Sequence, residues 1–289
     1  MRLLPLLALS ILRAGARITG FSLDIEPPPG CASVDFVNEM AAWRSRLDGT
    51  GLRLSADAGT AWSGANYATT VNGSTKLLSE WLVDLCDEAI LMDYDRNASN
   101  LLVRAEPYLA YADGRPGKAV TVGVAIAPPG TPAAWWQTAN VSELEALIAS
   151  VDAPLRRHRS FTEKYAVFFA ETLFNATKAV ESLEATSTGE MKTLWYVADE
   201  WIYDGAAQSA FFDFARAQRV VELYDAPHAG DKPHIGANAT DEALSAEFYR
   251  LCDARGISVQ FMSGLNTLEE DLRFIQHCFP PSSDSPQSH

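Results

Sequence analysis

The feature that most constrains the fold of this chain is a regular alternation of short β-branched or aromatic runs with helical patterns. This alternation is typical of a parallel α/β sheet. Eight βα units favour a closed barrel, because closure leaves no edge strand to protect. The length of 289 residues suits such a barrel, which takes roughly 250 residues. The sequence therefore predicts an α/β fold, a (β/α)8 TIM barrel, with strands at residues 18–26, 52–57, 89–92, 119–126, 165–169, 193–199, 220–224 and 257–262.

One stretch interrupts the alternation and suggests how the domain is organised. Residues 184–192 are polar and are typical of a linker. We expect a single barrel at 1–279, in which 1–183 supply strands one to five and 193–279 supply strands six to eight. Residues 280–289 are rich in Pro and Ser and are predicted to be a disordered tail.

Charge and composition limit the partners. The chain has 23 Lys and Arg against 37 Asp and Glu, a net charge of −14. This balance opposes binding to a phosphate backbone, so no nucleic-acid partner is expected. The five histidines are scattered and no Cys/His cluster is present, so the sequence predicts no metal and no organic cofactor. The oligomeric state is left open.

Two signals concern the compartment. Residues 1–16 combine one early Arg with a short apolar run. They fit either a secretory signal peptide or a barrel helix, and are too short to span a membrane. Five of the nine asparagines begin an Asn-x-Ser/Thr triplet, which favours a secreted, N-glycosylated protein. The candidate acceptors are Asn72, Asn97, Asn140, Asn175 and Asn238.

The four cysteines suit a secreted protein. Cys252 and Cys278 lie near the same ends of neighbouring predicted helices, so a Cys252–Cys278 disulfide is expected. Cys31 and Cys86 fall at opposite ends of the predicted fold and are expected to be free and buried.

Carboxylates gather where the predicted strands end, and in a barrel this end carries the chemistry. Ser22, Asp24 and Glu26 alternate along the first strand, so they share the face that points into the barrel. Two carboxyls so close together raise one pKa and favour a proton donor near neutral pH. Met92, Tyr94 and other side chains suited to binding a sugar ring are expected on the same rim. These others are Asp57, Trp62, Trp135, Trp136 and Glu171.

These residues resemble two motifs of the chitinase-type glycoside hydrolases of family 18. That family carries D-G-x-D-x-D-x-E on one strand and M-x-Y-D two strands later. Residues 19–26 read T-G-F-S-L-D-I-E and residues 92–95 read M-D-Y-D. The last Asp and the Glu match, whereas Thr19 and Ser22 replace the first two Asp positions. The spacing of two strands between the motifs is kept.

The resemblance implies roles for four residues. Glu26 would protonate the glycosidic oxygen, and Asp24 would orient an N-acetyl group of the substrate. Tyr94 and Asp95 would hold that group while it attacks the anomeric carbon, which is the substrate-assisted route. N-acetylated sugars are therefore one substrate class that the resemblance implies.

The order of the strands departs from the family, because the acid motif falls on the first predicted strand rather than the fourth. A circular permutation would explain this order, since barrel termini lie close together. A fragment that spans the junction of two tandem barrels would give the same sequence. Mapping the later strands onto the family places further residues on the catalytic rim, namely Asp199, Glu200, Tyr224, Gln260 and Met262.

Three hypotheses for function remain. The first is a secreted glycoside hydrolase that acts on a poly- or oligosaccharide with Glu26 as general acid/base. The second is a carbohydrate-binding barrel that has lost turnover, suggested by the two missing motif aspartates. The third is a two-carboxylate glycosidase that pairs Glu26 with Asp57 or Glu171.

Overall fold

Eight parallel strands close into one barrel, which confirms the fold class predicted from the sequence. The computed structural model describes residues 18–27, 30–127, 133–134, 137–168, 173–174, 190–195, 197, 199–225 and 239–263. Around the barrel the order is β1, β10, β9, β8, β7, β6, β5 and β2. The strands are β1 (Ile18–Leu23), β2 (Arg53–Gly59), β3 (Ala68–Val71), β4 (Ser74–Leu77), β5 (Glu88–Met92), β6 (Ala119–Ala125), β7 (Phe161–Phe168), β8 (Met191–Trp195), β9 (Val220–Asp225) and β10 (Ser258–Ser263).

Strands from both sides of the predicted linker belong to this one barrel. Strand β7 pairs in parallel with β8, and β10 pairs with β1, so the last barrel strand closes on the first. Residues 184–189 of the predicted linker lie outside the described residues, as do the predicted tail and residues 1–17. The last two residues of the predicted linker, Met191 and Lys192, belong to β8, so this strand begins two residues before its predicted start. The domain boundaries and the choice between a signal peptide and a helix at 1–16 therefore stay predictions.

Helices follow most of the barrel strands and cover its outside. They are α1 (Cys31–Leu47), α2 (Leu78–Leu85), α3 (Ala98–Asp113), α4 (Val141–Leu155), α5 (Asp199–Tyr203), α6 (Gly205–Ala217) and α7 (Ala239–Asp253). Their apolar faces and the outward residues of the strands form the main hydrophobic core. Among the described residues, we find no helix whose length and apolar character would allow it to cross a bilayer.

A short antiparallel hairpin of β3 and β4 interrupts the second βα unit. Its turn is Asn72-Gly73, and both residues have positive φ angles, 49° and 77°. Asn-Gly is the preferred pair for a tight hairpin turn of this kind. The hairpin precedes α2 and lies outside the barrel sheet, as a separate two-stranded sheet.

The barrel strands have one apolar and one polar face. On β2, Leu54 and Ala56 are fully buried in the main core. Ser55 lies on the opposite face and donates a hydrogen bond of 2.9 Å to Gln260 on β10, which lies across β1 in the barrel order. Because side chains alternate along a strand, Arg53 and Asp57 share this inward face with Ser55.

An ion-pair network fills the end of the barrel interior where the strands begin. The ammonium of Lys164 lies 2.6 Å from Glu222 Oε2 and 3.0 Å from Glu88 Oε1. Arg53 also contacts both glutamates. Burial opposes ionisation of Glu222, but Lys164 and Arg53 outweigh it and lower its pKa to about 2. This end of the barrel is thus closed by paired charges.

Two of the four cysteines can be compared with their predictions. Cys86 is buried and free, as expected. Cys252, near the end of α7, is also a buried free thiol, so the predicted pairing with Cys278 is not seen. Burial raises the pKa of the Cys252 thiol far above its usual value. Cys278 lies outside the described residues.

The described glycosylation candidates are all exposed. Asn72 lies at the hairpin turn, while Asn97 and Asn140 are the N-cap residues of α3 and α4. Asn97 Oδ1 accepts hydrogen bonds from two backbone N–H groups. Asn175 and Asn238 lie outside the described residues. Secretion and glycosylation stay predictions.

Candidate functional site

A cavity of about 220 Å³ opens at the end of the barrel where the parallel strands finish. This is the end at which barrel enzymes place their catalytic residues. Three carboxylic acids and four apolar or aromatic side chains line it. They are Asp24, Glu26, Asp57, Met92, Tyr94, Phe168 and Met262. All except Phe168 were predicted as site residues from the sequence.

Strands β1 and β2 bring the three carboxyl groups together. The parallel register pairs Ser22 with Ser55 and Leu23 with Ala56, so the next residues along, Asp24 and Asp57, are neighbours. Strand β1 ends at Leu23, and Pro27 follows soon after and has no N–H to extend a ladder. Asp24 is half-buried and Glu26 is exposed, so both reach the cavity from a short extended segment.

Asp57 is the deepest of the three carboxyls. Its side chain is 2% exposed, and among the described residues its Oδ1 atom has no hydrogen-bond partner. Burial, followed by the charges of Asp24 and Glu26, raises the pKa of Asp57 well above its usual value. An unpaired carboxylate at such a depth is costly, and taking up a proton removes that cost.

Aromatic and thioether side chains complete the cavity wall. Tyr94 and Phe168 stack with their ring centroids 5.2 Å apart and their planes 21° apart. Both rings and Met92 pack against a small apolar cluster inside the barrel that is separate from the main core. The cluster consists of Ile90, Ala166, Tyr224 and Met262. Phe168 was missed from the sequence. The pattern that could have indicated it is the alternation along β7. Residues 164, 166 and 168 lie on one face of this strand, so Phe168 points inward with Lys164.

The carboxylate of Asp95 is held by groups outside the cavity. It is 4% exposed and does not line the cavity. Its carboxylate accepts hydrogen bonds from the backbone N–H of Asn97 and from the side chain of Asn100. Arg104 lies 3.1 Å from Asp95 Oδ2. These contacts hold the start of α3 in place.

Arg104 also lies 3.2 Å from the fully buried carboxyl of Asp93. Burial raises the pKa of Asp93 to about 7, against the opposing effect of Arg104. Tyr94 lies between these two aspartates in the chain, so Arg104 fixes the segment that carries it. No sequence pattern points to Arg104, since only the fold brings it beside Asp93 and Asp95.

Several residues predicted on the rim lie deeper in the protein. Tyr224 is fully buried and donates a hydrogen bond to Glu222. Gln260 is also buried and donates to the same carboxylate at 3.0 Å. Both belong to the polar interior below the cavity, because neither residue ends its strand. Strand β9 continues one residue beyond Tyr224, and β10 continues three residues beyond Gln260. Ser22 is buried too, and does not line the cavity.

Trp62 was predicted to contact the substrate but packs in the main core. It is 3% exposed and meets Phe36 edge to face, with ring centroids 5.5 Å apart. A short 3-10 helix at Thr60–Ser63 turns the ring away from the cavity. The preference of a large aromatic ring for burial explains this position.

The remaining predicted residues are only partly described. Trp135, Trp136 and Glu171 lie outside the described residues. Asp199 begins α5 instead of ending a strand, since β8 ends at Trp195. Glu200 is exposed on that helix.

Within the described part of the chain, no group of three or more His, Cys, Asp or Glu side chains is arranged to hold a metal ion. The three carboxyls of the cavity are thus grouped without the geometry of a metal site.

No family model matches the chain, and no curated protein matches it. Among solved structures, the chain is similar to GH26A from Muricauda sp. MAR_2010_75, with 8% sequence identity and a TM-score of 0.42, over 96% of this chain and 94% of that one. A likeness of this degree says nothing about the substrate.

Proposed function

We propose that this protein is a glycoside hydrolase that cleaves glycosidic bonds of a poly- or oligosaccharide. The observation that supports the proposal is the cavity at the carboxyl ends of the strands, where Asp24, Glu26 and Asp57 face Tyr94 and Phe168. Carboxyl groups serve as acid, base and nucleophile in glycoside hydrolysis. Aromatic faces beside them suit the C–H surfaces of a sugar ring.

In this proposal Glu26 is the general acid/base. It is the most exposed of the three carboxyls, so it can reach the glycosidic oxygen of a sugar bound in the cavity. It donates a proton as the bond to the anomeric carbon breaks, and then accepts a proton from the incoming water. Asp24, beside it on the same segment, stabilises the positive charge that develops on the sugar.

N-acetylated sugars are the preferred substrate class under the resemblance to family 18, with Tyr94 beside the acetamido group. Asp95 is left out of this proposed machinery, because Arg104, Asn100 and the backbone of Asn97 occupy its carboxylate. That occupation favours a second candidate function, a carbohydrate-binding barrel without turnover.

A glycan panel tests the proposal. Purified full-length wild type, Glu26→Gln and the control Glu247→Gln are incubated with N-acetylated and non-acetylated oligosaccharides. Glu247 is an exposed residue of α7 that pairs only with Arg250 among the residues for which contacts are described. We expect hydrolysis by wild type and the control, and its loss in Glu26→Gln with an unchanged melting temperature.

Two outcomes contradict the proposal. Equal hydrolysis by wild type and Glu26→Gln would remove Glu26 from the reaction. Saturable binding of a glycan by wild type, with no product after long incubation, would favour the second candidate, the binding protein.

A further inference from the structure

The cavity contains one carboxyl group whose surroundings differ from those of the other two. Asp24 and Glu26 lie on a partly exposed segment after β1, whereas Asp57 is 2% exposed at the carboxyl end of β2. Its Oδ1 atom has no hydrogen-bond partner among the described residues. A buried polar atom without a partner is rare in a folded protein and calls for an explanation.

The charged and titratable groups around Asp57 come from three parts of the barrel. Asp24 and Glu26 face it from the end of β1, and both disfavour a negative charge on it. Tyr94 lines the same cavity after β5. Tyr224, on β9, interacts electrostatically with Asp57, and burial keeps this phenol protonated.

A negative charge at this buried position would have to coexist with the charge of Asp24, and with that of Glu26 whenever Glu26 has given up its proton. Like charges that line one cavity disfavour joint ionisation, and burial adds to the effect. A protonated carboxyl avoids both costs and also turns the group into a hydrogen-bond donor. Neutral carboxylic acids held in this way serve as donors in enzyme sites.

We propose that Asp57 is an uncharged acid at neutral pH and acts as the hydrogen-bond donor of the cavity. It would donate to an acceptor oxygen of the bound sugar, either a hydroxyl or an acetamido carbonyl oxygen. The role in substrate binding rests on the proposed function, whereas the protonation state does not. Loss of this proton at higher pH removes the donor and adds a third negative charge, so both substrate binding and stability fall as pH rises.

The first experiment needs no substrate. Melting temperatures of full-length wild type, Asp57→Asn and the control Asp253→Asn are measured between pH 4 and pH 9. A raised pKa in the folded state means that stability is greatest below the unfolded pKa, about 4 for Asp, and declines as pH rises through the folded pKa. Asn mimics the neutral acid, so Asp57→Asn should lack this decline.

We expect Asp57→Asn to melt about 3 °C or more above wild type at pH 8 and close to it at pH 4. Asp253 is exposed near the end of α7, and its variant should follow wild type throughout. The proposal would be overturned if the melting temperatures of wild type and Asp57→Asn changed in parallel between pH 4 and pH 9. If Asp57→Asn fails to fold, carboxyl-carbon NMR of the assigned wild-type chain replaces it, and ionisation of Asp57 between about pH 3 and pH 5 would overturn the proposal.

The second experiment tests the donor role with the glycan cleaved best by wild type. Asp57→Asn keeps a donor, so it should still hydrolyse the glycan, and its KM should rise less than that of wild type at alkaline pH. Asp57→Ala loses the donor and should raise KM at every pH. Equal KM values for the Asn and Ala variants would refute the donor role. If wild type cleaves no glycan, the proposed function fails while the melting experiment still decides the protonation state.

Discussion

Replacing Lys164 with Met should strongly destabilise the barrel. The Lys164 side chain is 12% exposed and pairs with Glu222 and Glu88, which are 1% and 2% exposed. Met fills a similar volume, so the loss is mainly one of charge. Among the described residues, Arg53 would then be the one cation left beside the two buried carboxylates, and its side chain is 39% exposed.

The expected cost is about 3–5 kcal/mol, the range for breaking a buried pair by removing one partner. That is a large part of the 5–15 kcal/mol by which folded domains are usually stable. Lys76→Met provides a matched control, because Lys76 makes an ion pair with Asp84 whose side chains are 34% and 22% exposed. Arg115 also holds Asp84, so the control should cost less than about 1 kcal/mol.

Urea denaturation of the two full-length variants and wild type at pH 7 measures the difference. The reasoning is refuted if Lys164→Met costs no more than Lys76→Met. Acid gives a second readout, because the lowered pKa of Glu222 stabilises the fold above its unfolded pKa of about 4.3. This contribution is lost as pH falls towards about 2, and the loss should be smaller in Lys164→Met.

The other predictions concern a close backbone approach and the segment beside the cavity. A Cβ atom at Gly20 would lie 2.4 Å from the carbonyl oxygen of Arg53, so Gly20→Ala should cost about 2 kcal/mol or more in urea denaturation. Gly205→Ala is the control, because among the described residues nothing outside its own stretch of helix lies within 4 Å of its Cβ position, so this variant should not be destabilised. Equal urea midpoints for Gly20→Ala and Gly205→Ala would contradict the structure. Arg104→Met should cost about 3–5 kcal/mol, because among the described residues no other cation pairs with the buried carboxylates of Asp93 and Asp95. Because burial raises the pKa of one of them, Asp93, to about 7, this loss should be greater at pH 8 than at pH 5, and a pH-independent loss would argue against the pairing.

The sequence was sufficient to predict the barrel, because strand and helix periodicities are local properties. The same alternation placed Asp24, Glu26 and Asp57 on the inward side, and the cavity contains all three. The Asn72-Gly73 pair is a local signal for the hairpin of β3 and β4.

Other features could not be predicted, because they depend on how far each strand extends and on distant partners. Tyr224 and Gln260 were expected on the rim but lie one layer deeper, where Glu222 accepts their hydrogen bonds. Asp95 matches a family motif, but Arg104 reaches it only once α3 lies beside the segment that follows β5. A motif gives residue types and spacing, whereas long-range contacts determine which of its carboxylates remain available.

The rate of glycosidic bond cleavage by Glu26→Gln, relative to wild type on the same oligosaccharide, tests the central claim most directly. General acid catalysis contributes about 10²–10⁴-fold, and Glu26 is exposed, so the variant should lose that factor and keep its melting temperature. Cleavage by the folded Glu26→Gln protein at the wild-type rate would contradict the account.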